Sequence, residues 1–328
     1  MAGRLRSGFP GDSLASAVDV PTERRIGEPL PTDEYDKGVR AAQKRADEEI
    51  SPGYDHFKTK HAERAAGDYL LSLQLLKEAR RRTCDVLLIG VTDKPLHITP
   101  RLTSASVRVA EYADVVERER FLVDTFGSQE WLWDAPDTLG FDRASRELVS
   151  AEFRMPEEAA SAEDSARLAL TPAVRPGGLR ADEIRGFRQK MCTVLCRAPG
   201  DAVLTCLRDL DVLDEPLEAR IGIAPDVALL VQHGTVVGWS LTDPARYLTT
   251  GYADPDPNPP SPATRRLLTE CLDLITMPGI EDVVDGEPAA LARLRAADEA
   301  LRTQREDRHR ADALLALIAT YVEDYGNW

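Results

Sequence analysis

The sequence contains no apolar run approaching the roughly 18–20 residues needed to cross a bilayer, and the two arginines of Met1 to Ser13 precede no apolar core of the kind a secretory leader carries. No membrane partner is expected, and the predicted compartment is cytoplasmic. Cysteine is sparse, with five residues at Cys84, Cys192, Cys196, Cys206 and Cys271. An odd number in apolar surroundings argues against a disulfide framework and for a reduced compartment. There is no Gly-x-Gly-x-x-Gly, no Walker loop and no nucleophile elbow, and Gly177-Gly178 follows no predicted strand. No cofactor is expected.

What is present suffices for a substantial core: 328 residues, 43% hydrophobic and 30% charged. The formal net charge of -15 repels phosphate backbones, so nucleic acid is disfavoured as a partner. Arginine outnumbers lysine, and alanine and leucine abound, a composition that fits a high-GC bacterial coding sequence.

Composition and periodicity divide the chain. Residues 1–54 mix Gly, Pro and both charge signs and read as a flexible arm with one helical interval near Asp33 to Ile50. Residues 55–154 read as a small α/β unit. It comprises a helix over Asp55 to Arg82, strands at Cys84 to Val91, Leu96 to Thr99 and Ser104 to Val109, and a helix from Tyr112 to Phe126. Residues 155–179 read as a linker ending in Pro176-Gly177-Gly178. Residues 180–253 form a second unit, with a helix over Asp182 to Arg197 and then a helix or strand from Asp201 to Leu210. The prolines of 254–262 make an extended spacer, and 263–328 is a helical region. Within it the stretch that follows Pro288, as far as Tyr325, lacks Gly and Pro, and its charged middle favours two antiparallel helices over one.

The most specific local signal is His233-Gly234 between Val227–Gln232 and Thr235–Leu241. Both residues tolerate positive φ, which a two-residue hairpin turn requires. A regular ladder pairs Gln232 with Thr235, Val231 with Val236, Leu230 with Val237, Leu229 with Gly238 and Ala228 with Trp239. Both faces are then apolar, so the hairpin is predicted to be covered on both sides.

Candidate chemistry is limited. His97-Ile98-Thr99 and His233-Gly234-Thr235 resemble the paired His-x-Thr motifs of the 2H phosphoesterases. That resemblance implies metal-free acid/base chemistry by His97 and His233 with Thr99 and Thr235 beside them. It conflicts with the hairpin, which places His233 at a turn. Asp209-Leu210-Asp211 resembles the nucleophile strand of haloacid-dehalogenase-type phosphatases, but Leu213 departs from the pattern and no lysine follows Lys190. A solvated acidic loop over Asp209 to Glu215 is preferred. Cys192 and Cys196 stand one helical turn apart with Cys206 downstream, yet no further ligands complete a metal site, so no metal is expected. His56 and His61, five apart, miss the helical metal-pair spacing. Trp131, Trp133, Phe126 and Phe141 make an aromatic patch suited to a core or an interface.

The combined expectation is an α+β protein, predominantly helical, with a small sheet near residues 84–110 and a buried hairpin at 227–241. Its expected role is non-catalytic. It would act through a protein partner or self-association, using the arm, the aromatic patch and the terminal helices as contact surfaces. The alternative is a 2H-like phosphoesterase using His97 and His233.

Overall fold

A computed structural model describes residues 4–6, 32–47, 88–128, 137–168, 172–187, 189 and 191–326. In chain order the elements are β1 (Arg4–Arg6), α1 (Thr32–Asp47), β2 (Leu88–Thr92), β3 (Arg101–Thr103), β4 (Ser106–Val109), α2 (Val115–Asp124), β5 (Thr125–Gly127), β6 (Thr138–Asp142) and β7 (Leu148–Arg154). They continue as β8 (Glu158–Ala159), α3 (Ala162–Arg167), β9 (Val174–Pro176), β10 (Gly178–Ala181), β11 (Val194–Arg197), β12 (Val203–Leu207), β13 (Ala219–Ala224), β14 (Val227–Gln232) and β15 (Thr235–Thr242). Four helices close the chain: α4 (Pro262–Ile275), α5 (Gly279–Val284), α6 (Pro288–Thr303) and α7 (Arg308–Tyr325).

The expected helical predominance is overturned. A ten-stranded sheet and a five-stranded antiparallel sheet, ordered β3-β4-β7-β6-β5, organise the described residues. In the larger sheet β1 lies beside β2 in parallel, β10 runs antiparallel to β2, and β15 pairs with β14 along one edge and with β12 along the other. β9 and β10 are consecutive pieces of one extended stretch, β9 on β13 and β10 on β2, so the sheet curls back toward its own start.

Much of this pairing falls where helix, linker or arm was expected. Asp182 to Arg197 is not a helix: its apolar spacing happens to fit 3.6 residues, but Val194–Arg197 pairs with β12 along its whole length and Ile184 is exposed. The 155–179 stretch, expected as a linker, carries β8, α3 and β9, and Arg4–Arg6 of the expected arm is a strand of the larger sheet. Leu96 to Thr99 is irregular rather than a strand; it lies between Pro95 and Pro100, and its Leu96 N–H bonds Ile223 O at 2.7 Å. The expected helix at 55–82 and Cys84 to Leu87 lie outside the described residues.

The His233-Gly234 turn forms as expected, with φ of 51° and 62°, and β14 is buried throughout. The register holds for Gln232↔Thr235 and Val231↔Val236, then shifts so that Leu230 faces Gly238 and Leu229 faces Trp239. Val237 is the extra residue of a bulge, which reverses the facing of everything beyond it. Trp239 therefore joins Leu229 and Val231 in the main core, while Leu230 and Val237 pack with Cys196, Leu207 and Val212 on the opposite face.

One core runs from the five-stranded sheet through the larger sheet into the C-terminal helices. Helices α6 and α7 are the two expected from 288–325, and they bury Leu294, Leu301, Leu314 and Ile318 completely. The 254–262 segment is strapped to α7: Arg310 Nη2 donates to Asp256 O at 2.8 Å and Asn258 O at 2.6 Å, and its Nη1 donates to Asp307 at 2.7 Å.

Candidate functional site at the end of the parallel pair

In β2, Leu88-Ile89-Gly90-Val91 is a continuous apolar run, with Ile89 2% exposed and Gly90 and Val91 half-buried. Its parallel register on β1 is Arg4↔Leu88, Leu5↔Ile89 and Arg6↔Gly90. In open α/β sheets ligands bind outside the carboxyl ends of the parallel strands. The chain leaves β2 there as Asp93-Lys94, both exposed.

Backbone packing holds this loop in place. A Cβ on Gly178 would stand 2.1 Å from Lys94 O and 2.8 Å from Thr92 Oγ1, so only glycine lets β10 approach so closely. The neighbouring Gly177 N–H bonds Gly222 O at 3.0 Å. Lys94 Nζ reaches Glu147 Oε1 at 2.9 Å across open surface, an exposed pair of small energetic value. Asp93 is thus presented on a fixed backbone.

The histidines of the expected pair are not brought together. His97 is exposed and adjoins Leu96, which bonds the C-terminal part of β13 beside the start of β14. His233 sits at the other end of β14, and six strand residues span roughly 20 Å. The His233 side chain is 70% exposed and faces Glu215 Oε2 at 2.5 Å, and the Gly234 N–H donates to Glu218. Thr235 Oγ1 turns back to His233 O, and Thr99 is exposed. The phosphoesterase alternative has no geometric support.

Within Asp209 to Glu215, Leu210–Asp214 is a 3-10 helix that buries Val212 and leaves Asp211 exposed. Cys192 and Cys196 are not on a helix; Cys196 lies on the opposite face of the sheet from Cys192 and Cys206. Burial pushes the Cys196 thiol up to about 11 and that of Cys271 to about 12, and raises Cys192 and Cys206 well above the ordinary range, so none is a thiolate nucleophile near neutrality. Phe126 and Phe141 pack in the core with centroids 5.7 Å apart; Trp131, Trp133, His56 and His61 lie outside the described residues. Among the described residues no three His, Cys, Asp or Glu side chains are grouped to hold a metal ion. No described helix is long and apolar enough to cross a membrane.

The sequence reads Thr92 to Pro95 as a turn between the expected strands Cys84 to Val91 and Leu96 to Thr99, and does not single out Asp93. The available signal was a buried apolar strand ending directly in an acid, but its parallel partner, Arg4–Arg6, is too short and polar to announce itself as a strand.

A protein-family profile described as "PIN like domain" matches residues 5–94, just over a quarter of the chain. Of the described elements, α1, β2 and all but the first residue of β1 fall in that span. No curated protein and no solved structure matches the chain.

Proposed function

We propose that the N-terminal part of this chain acts on the phosphodiester backbone of a nucleic acid, with the loop after β2 at the reacting end. The observation that carries this reading is the likeness of residues 5–94 to a PIN-like domain, a nuclease-type fold. The parallel β1–β2 pair within that span supports it, because Asp93 leaves the pair at the end where ligands collect.

The net charge is not spread evenly along the sequence. Residues 5–94 hold 15 Lys+Arg against 16 Asp+Glu, so -1 of the total -15 belongs to this span and -14 to the rest. The matched span by itself is therefore close to neutral. The test is fluorescence anisotropy of the full chain with labelled single-stranded RNA, single-stranded DNA and duplex DNA at low and moderate salt. Binding of at least one, weakening as salt rises, is expected. No binding of any of the three at low salt would overturn the reading.

A second reading, contact with a protein partner or a second copy, is favoured by α2. That helix buries no residue and exposes Val115, Val116, Leu122 and Val123, the last 72% exposed. The apolar sides of the terminal helices named above fill the core, so a contact through those helices would use their polar sides.

A further inference from the structure

Asp137, which leads into β6, is 2% exposed. Its Oδ1 accepts the Arg154 N–H of β7 at 2.9 Å, and Cys192 also hydrogen-bonds to the carboxylate. The Cys192 thiol lies 3.5 Å from Cys206 O. Beside this carboxylate is a cavity with about 10 Å³ open to the centre of a water molecule. Asp137, Gln189, Cys192, Phe153, Val236 and Trp239 contribute to its walls.

Trp239 is 1% exposed, and its indole Nε1 is buried with no hydrogen-bond partner among the described residues. An unmade hydrogen bond at a buried donor costs about 1–3 kcal/mol, so such groups are ordinarily satisfied. A volume of roughly 10–15 Å³ on this measure admits one water, provided it meets two or more polar partners. Here Trp239, which carries the buried unpartnered donor Nε1, and Asp137, which carries a buried carboxylate, line the same small space together with Gln189.

We propose that this cavity is a binding site for a single water molecule that accepts from Trp239 Nε1 and donates to Asp137, so that the indole senses whether Asp137 is ionised. The site lies where the two sheets meet, β6 and β7 on one side and β15 on the other. The charged and titratable groups facing Asp137 among the described residues are Arg154 from β7, Cys192 from the segment before β11 and Cys206 from β12. Burial holds both thiols protonated. Asp137 is thus the group that changes state; burial raises its carboxyl to about 6.

The test is ¹⁵N–¹H spectroscopy of the full chain with labelled tryptophan, the Trp239 signal being assigned as the one lost in Trp239→Phe. The Trp239 indole N–H is expected to show a cross-peak to a long-lived water and to shift with a midpoint near pH 6. Asp137→Asn is expected to abolish that titration. A wild-type indole without a water cross-peak would overturn the proposal, and so would a flat wild-type response from about pH 5 to about pH 7 or a titration that survives Asp137→Asn. The wild-type cross-peak decides the matter even where the variant does not fold.

Discussion

The rings of Phe153 and Trp239 are stacked with centroids 5.2 Å apart and planes at 23°. Phe153 lies on β7 of the smaller sheet and Trp239 on β15 of the larger one, so the contact couples the two sheets. It exists because the bulge at Val237 turns Trp239 toward the main core.

Trp239→Ala is expected to destabilise the chain by about 3–5 kcal/mol, since truncating a fully buried aromatic loses its transfer energy and leaves a cavity. Trp239→Phe retains the ring and is expected to cost less. Urea unfolding of the three chains checks the order.

Arg310 and Asp307 form an ion pair with side chains 1% and 6% exposed. Asp307 also accepts from Thr264 Oγ1 at 2.6 Å and from the Ser261 N–H at 3.1 Å, which joins the 254–262 segment, α4 and α7. Arg310→Ala leaves a buried carboxylate without its cation and is expected to cost about 3–5 kcal/mol, whereas Arg310→Met with Asp307→Leu removes both charges and is expected to cost less. Thermal unfolding of the single and double variants measures the difference.

The buried Asp137 carboxyl gives a pH dependence of definite sign. Its folded-state value is raised from 3.8 to about 6, mainly by burial, so the protonated form favours the fold. The contribution is complete below about pH 3.8 and is lost as pH rises through about 6, on the order of 3 kcal/mol. Asp137→Asn is expected to lack this decline. Unfolding free energies of both chains across that window, with parallel curves instead of diverging ones, would contradict the assignment.

Helix α2 presents Val115, Val116, Leu122 and Val123 to solvent. If this face joins two copies, sedimentation of the wild-type chain is expected to show concentration-dependent association that Val116→Asp with Val123→Asp eliminates. Identical monomeric behaviour of both chains at all concentrations removes α2 as a self-association surface.

Local chemistry was readable from the sequence where one residue's backbone preference decides the outcome. His233-Gly234 is such a place, as is the break between α6 and α7, where charged Arg302 to Asp312 interrupts two apolar stripes. Pairing between distant segments was not readable. Val194–Arg197 carries a helical apolar spacing that strand pairing with β12 overrides, and no local rule places the bulge at Val237. The burial of Asp137 follows from packing between β6, β7 and β15, and Asp93 gains its position from a partner strand more than eighty residues earlier.

The central claim is tested most directly by incubating the full chain and Asp93→Asn with labelled single-stranded RNA and DNA in the presence of magnesium or manganese, and resolving the products on a gel. The account predicts backbone cleavage by the wild-type chain that falls at least about tenfold in Asp93→Asn, a loss of about 1.4 kcal/mol of transition-state stabilisation. Intact substrate after prolonged incubation with folded wild-type protein, or equal cleavage by both chains, would contradict it.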